Sequence, residues 1–260
     1  MSYLGSLSSS QKKNLDLIID TAKKNGITNP ISIAGLLAIV SKESAFNPQG
    51  ENMNYSASRI REVFPSVSDQ AESLAHNPEK LANAVYGGKY GNAQNEGYKY
   101  RGRGFNGLTF KSNYQKYGNK INTDLVSNPD KVNEPIIASK ILIDYNKDRF
   151  LDLAKIGKLQ FYGNAKDIND FKDTKNSVLA FYHVTAGNGK SVEYVKGLAK
   201  NDTLGGMTKA LSRVDELLNY VNGNTNVDSN ENNSAKFSIF GLIIGIVIGG
   251  GAFFLINKKK

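Results

Sequence analysis

The 260-residue chain has no cysteine, no tryptophan and only two histidines, His76 and His183. Without thiols there is no disulfide framework, thiolate nucleophile or zinc–thiolate site. Two imidazoles argue against a multi-histidine metal centre, so no metal or cofactor is expected. Sustained apolar–polar alternation is absent, which excludes a sheet-dominated domain. The first thirteen residues lack the apolar core of a signal peptide, so no cleavable leader is expected. Large basic clusters are missing as well. The net charge is +9, but Lys236, Lys258, Lys259 and Lys260 supply four of the positive charges. The only tight basic group in the body is Lys99, Arg101 and Arg103, too few to track phosphates, so no nucleic acid is expected. A mild positive balance fits attraction to an anionic envelope polymer or to lipid headgroups.

What the chain does have is one long apolar run. Residues 237–256 carry no charge, and thirteen are Ile, Val, Leu or Phe. Twenty helical residues span roughly 30 Å, the thickness of a hydrocarbon core. A single-pass membrane protein follows. Gly241, Gly245 and Gly249 recur every fourth residue, the small-xxx-small spacing of close helix pairing, so self-association through them is expected. Three terminal lysines favour the cytoplasmic side, whereas a large body without a leader is hard to translocate, so topology stays open. The predicted organisation is a domain over 1–221, an Asn/Ser-rich tether over 222–235, a transmembrane helix over 236–257 and a basic tail over 258–260.

The domain reads as mainly α. Apolar periodicity and stop signals predict helices over 11–24, 30–44, 56–64, 78–85, 135–146, 176–185 and 207–221. Asn29-Pro30 is a cap followed by proline at the first helical position. A short β-hairpin fits within 87–102.

Candidate chemistry concentrates in three stretches. Glu43 closes an apolar helix on or beside its buried stripe. Poor solvation and the negative end of the helix both favour the proton-bearing carboxyl that a general acid needs. Glu51 follows in the polar loop Asn47-Pro48-Gln49-Gly50-Glu51-Asn52, where a hydrated carboxylate is expected. Two carboxyls in opposite surroundings form the acid–base pair of glycoside hydrolysis, and spacing alone leaves retaining and inverting chemistry open. The third stretch is Tyr98-Lys99-Tyr100-Arg101-Gly102-Arg103-Gly104. Its tyrosines and arginines suit sugar rings, hydroxyls and carboxylates. With a helix after Gly104, Thr109 and Asn113 fall on one face. Glu96 ranks below Glu51 as a base, and His183 reads as a packed core residue.

Glu43-Ser44-Ala45-Phe46 and Glu51-Asn52-Met53-Asn54-Tyr55-Ser56 resemble paired motifs of glycoside hydrolase family 19, in particular its bacteriophage endolysin and chitinase-like members. Phe64-Pro65, Val85-Tyr86, Gly91-Asn92, the 97–104 stretch, Leu108-Thr109 and Asn113-Tyr114 follow in the same order. The resemblance covers about residues 30–120. It implies a lysozyme-like, two-lobed fold and inverting hydrolysis of a β-1,4 bond beside an N-acetylated sugar. It further implies Glu43 as general acid, Glu51 as general base, Thr109 as the hydroxyl that orients the attacking water, and Asn113 as substrate-binding; Tyr98 and Arg103 are expected as further substrate contacts from their own chemistry. Three positions depart from the family: Lys42 stands in place of histidine, Gly107 in place of glutamine and Phe110 in place of glycine.

The expected activity is that of a bacteriolytic peptidoglycan hydrolase, because a bacterial wall lies beside a membrane and chitin generally does not. A host inner membrane or a virion membrane is the expected location. Chitinase, lytic transglycosylase and a non-catalytic structural membrane protein are the alternatives.

Overall fold

The computed structural model describes residues 2–187, 189–200 and 206–223. The expected membrane segment over 237–256 lies outside them. Among the described residues no helix is long and apolar enough to cross a membrane.

The chain is mainly helical. In order come α1 (Ser9–Lys24), α2 (Pro30–Glu43), α3 (Ala57–Val63), the short α4 (Ala71–Leu74), α5 (Pro78–Tyr86) and α6 (Lys111–Lys120). They are followed by α7 (Pro135–Lys155), α8 (Thr174–Ala186), α9 (Val192–Lys200) and α10 (Gly206–Val221). Several helix starts carry local caps. Ser8 and Gln11 form a reciprocal capping box on α1. Asn29 accepts from the Ile31 N–H at 2.8 Å and places Pro30 at the first turn of α2, satisfying donors that a helix start leaves orphaned.

α2 is the centre of the large core. Every residue from Ser32 to Ser41 is buried, so its surroundings are apolar on all sides rather than along one stripe. α8 and α10 pack on it. A Cβ built on Gly35 would lie 2.1 Å from Ser177 Oγ, so only glycine permits the approach of α2 to α8. From α10, Arg213 donates to the Ser41 carbonyl at 3.1 Å, and Glu216 accepts the N–H groups of Tyr3 and Leu4. These bonds tie the start of the chain and the end of α2 to the last described helix.

Two smaller cores complete the domain. One gathers Met53, Ile60, Phe64, Leu81, Val85, Tyr86 and Phe110. The other gathers Tyr100, Leu108, Tyr114, Tyr117, Val132, Ile141 and Tyr145. α7 belongs to two cores at once, with Ile141 and Tyr145 in the last and Leu142, Phe150 and Leu153 in the large one.

The structure corrects several sequence expectations. α7 runs nine residues past 146, because Phe150 and Leu153 continue the buried face that Leu142 begins. Asn146 interrupts that face in sequence only. It is buried with its amide bonded to the Leu142 carbonyl at 2.8 Å. The extra helix α9 was not expected, and α6 only conditionally. The hairpin expected within 87–102 is absent: that stretch is a series of turns. Antiparallel pairing occurs instead as an isolated bridge between Arg103 and Leu108, closed by reciprocal backbone bonds of 3.1 and 2.8 Å.

Candidate active site

The chain reverses directly after α2. Ala45 and Phe46 both adopt positive φ, 47° and 61°, a region that costs L-residues free energy and tends to mark functional sites. The turn is held from α1, where Gln11 donates to the Ala45 carbonyl and Asn14 to the Phe46 carbonyl, each at 2.8 Å. Phe46 is fully buried in the large core, while Met53 is buried in the second. Residues 47–56 therefore form an extended strap from one core to the next, and Glu51 sits at its middle.

Glu51 is the hub of the site. Its backbone N–H donates to the Gly102 carbonyl at 2.7 Å, and its backbone carbonyl accepts from Arg101 Nε at 3.2 Å. The carboxylate receives the Tyr86 hydroxyl at 2.9 and 3.0 Å on its two oxygens, and the Gly102 N–H at 3.3 Å on Oε2. Burial raises the Glu51 pKa above the ordinary carboxyl range. It outweighs the opposing pull of the Tyr86 hydroxyl, the Gly102 N–H and the Arg101 charge. The Tyr86 phenol is itself pushed well above its ordinary value, by burial first and by the Glu51 charge second, so it remains a neutral donor.

Gly102 brings Thr109 to the same place. A Cβ built there would lie 3.3 Å from Glu51 Oε2 and 3.4 Å from Thr109 Oγ1. The Thr109 hydroxyl donates to the Gly107 carbonyl at 2.8 Å, so toward Glu51 it offers lone pairs. Asn113 donates to the Thr109 carbonyl at 2.8 Å, the i, i+4 proximity expected of this pair. Thr109 itself precedes α6, which starts at Lys111.

Glu43 occupies different surroundings from those expected. Its carboxylate is ion-paired to Lys42 at 2.7 Å and is partly exposed. The Lys42 ammonium also lies 5.2 Å from the Tyr182 ring centroid. The expected contrast between a greasy Glu43 and a wet Glu51 is not found: both residues are half-buried, Glu43 in an ion pair and Glu51 beneath Tyr86 and Gly102. The buried run of α2 stops at Ser41, whereas Tyr86 and Gly102 close over Glu51 from distant parts of the chain.

In the 98–104 stretch the two arginines separate in role. Arg101 lies 4.0 Å over the Tyr98 ring and links that ring to the Glu51 backbone. Arg103 is only 2% exposed. Its guanidinium bonds Asp130 at 2.9 Å, the Lys99 carbonyl at 2.7 Å and the Tyr114 hydroxyl at 3.0 Å. It holds the loop in shape from inside, which differs from the substrate-contact position expected of it. Glu96 is likewise occupied, accepting the Ala93 N–H at 2.9 Å and pairing with Lys111 at 3.0 Å. Those bonds lower its pKa and make it a brace of the loop rather than an alternative base. His183 is the core residue expected, fully buried with its ring nitrogens bonded to Tyr162 and the Lys190 carbonyl.

The residue that sequence reasoning left without a role is Tyr86. It completes the apolar stripe Leu81, Ala82, Val85 of α5, so its periodicity marks it as core and conceals the hydroxyl's task. Its place in the Val85-Tyr86 motif was the only signal.

No family model matches the chain. It is 33% identical over 111 residues, 40% of its length, to a Haemophilus influenzae protein named as a glycosyl hydrolase family 19 domain-containing protein. The match takes in 55% of that protein, so the chain spans about half the length of this relative. This likeness agrees with the family that the motifs around Glu43 and Glu51 resemble, and it supports a glycoside hydrolase.

Proposed function

We propose that the chain is a peptidoglycan hydrolase that cuts β-1,4 bonds between N-acetylated sugars by inverting acid–base catalysis on a lysozyme-like fold. The observation that carries this reading is the Glu51 carboxylate, oriented by Tyr86 and Gly102 and sharing one face of that glycine with Thr109. A carboxylate whose pKa is raised yet whose position is fixed is a better proton acceptor than a freely hydrated one.

In the proposed reaction Glu51 takes a proton from water as the water oxygen bonds to the anomeric carbon. The lone pairs of the Thr109 hydroxyl accept the water's other hydrogen. The bond from the anomeric carbon to the bridging oxygen breaks, its electron pair leaves with that oxygen, and Glu43 supplies the proton. The Lys42–Glu43 pair has to open first. Tyr98 and Asn113 border the region where the sugars would lie. That same ion pair favours a second reading, in which the chain binds walls without cutting them.

Lysis of purified peptidoglycan decides between the two readings. Glu51→Gln and Glu43→Gln are each expected to abolish it while thermal unfolding remains cooperative, and products of the wild type are expected to end in reducing sugars. Full activity in both variants would remove the acid–base pair. Anhydro ends would replace hydrolysis by transglycosylation.

The 237–256 segment is proposed to hold the enzyme at a host inner membrane or a bacteriophage virion membrane, with Gly241, Gly245 and Gly249 at a helix pair. Release of the full chain from membranes by alkaline carbonate would exclude the anchor, and a purely monomeric crosslinking pattern would exclude the pairing.

A further inference from the structure

Beside the Glu51 strap lies a cavity of about 420 Å³, whose lining includes Glu79, Tyr98, Lys99, Arg101, Arg103 and Asp130. Its size falls within the range of about 300–1,000 Å³ common to small-ligand sites. Its charges are unevenly satisfied. Arg103 and Asp130 neutralise each other at 2.8 Å. Among the described residues the Arg101 guanidinium donates to two carbonyl oxygens, those of Glu51 and Tyr98. Among the described residues, Lys99 and Glu79 form no ion pair, and both are exposed. The wall of the cavity therefore presents two cations and one anion that form no ion pair among the described residues, with the Glu51 and Glu96 carboxylates as the nearby charges felt by Arg101 and Lys99.

An uncharged sugar chain laid over these groups would strip water from them and return no opposite charge, a net cost. A ligand carrying both carboxylates and an amine would complement them. Arg101 places that ligand one side chain from Glu51. Building on the hydrolase reading, we propose that this cavity seats the charged peptide branch of peptidoglycan. It would thereby select a peptide-bearing glycan over chitin.

The test is calorimetric titration of the full-length protein in detergent with a disaccharide-tetrapeptide from peptidoglycan and with chitobiose. The peptide-bearing ligand is expected to bind about tenfold more tightly, the value of one well-placed bond to a charged group. The preference is expected to shrink at high salt and to fall in Lys99→Gln and in Glu79→Gln. Both positions are exposed, so folding is retained. Equal affinity for the two ligands, no binding of either, or a preference unchanged in both variants would overturn the proposal. Wall lysis measured in parallel separates this proposal from the one it builds on. Preference without lysis would refute the hydrolase and leave the cavity standing, whereas lysis without preference would do the reverse.

Discussion

Replacing Tyr86 with phenylalanine isolates one contact that sets the behaviour of Glu51. The ring is buried and packs edge-on against Phe110 with centroids 5.6 Å apart, so phenylalanine keeps the packing and loses only the hydroxyl. That hydroxyl donates to both carboxylate oxygens, at 2.9 and 3.0 Å, and lowers the Glu51 pKa against burial. A hydrogen bond to a charged group contributes about 1.5–3 kcal/mol. Sharing one proton between two oxygens places this one near the lower figure. Because 1.36 kcal/mol corresponds to one unit of pH, the acidic limb of kcat/KM is expected to move upward by about one pH unit. The limb moves up rather than down because a base works only when deprotonated, and the variant loses a donor to the ionised form. The remaining donor, the Gly102 N–H at 3.3 Å, is too long to compensate. On the plateau above the limb, activity is expected to fall, because an orienting bond is lost, but by less than in Glu51→Gln, because the Gly102 N–H still holds Oε2. The assay is kcat/KM for soluble glycan fragments between about pH 4 and 8, with thermal unfolding as the check on folding. An acidic limb that stays in place, or moves to lower pH, in a well-folded variant would refute Glu51 as the base held by Tyr86.

Two further outcomes test the packing and the electrostatics. Burial raises the Glu51 pKa in the fold, so protonation stabilises the protein fully below the ordinary carboxyl range. That gain is lost as pH rises through the folded value. Glu51→Gln is therefore expected to raise Tm at pH 7 and to raise it less at pH 4; a lower Tm at pH 7 would contradict it. Gly35→Ala places a methyl group 2.1 Å from Ser177 Oγ and 2.9 Å from its Cβ. Overpacking of about 1–3 kcal/mol exceeds the roughly 0.5–1 kcal/mol that alanine gains over glycine in a helix. Urea unfolding is expected to show a net loss, and adding Ser177→Gly should recover part of it.

Short-range features were legible in the sequence because their causes are local. Asn29 before Pro30 starts a helix through a bond within one turn; the Ser8–Gln11 box is equally local, yet it starts α1 two residues before the predicted 11–24. The apolar character of 31–40 was enough to mark a buried helix, and the order of motifs from Glu43 to Asn113 was enough to mark the candidate site. The helix α6 was harder to read, since Lys111–Lys120 is mostly polar and only Tyr114, Tyr117 and Gly118 face inward.

The surroundings of each carboxyl were settled only by tertiary structure. The sequence by itself determined a helical domain, placed Glu43 at a helix end and Glu51 in a loop, and fixed which residues could donate or accept. Tyr86 and Gly102 reach Glu51 from 35 and 51 residues away, and Asp130 reaches Arg103 from 27 residues away. Desolvation depends on everything that packs around an atom, whatever its distance along the chain. A loop carboxylate could therefore become the one whose pKa desolvation raises, and an arginine placed for a ligand could become an internal brace.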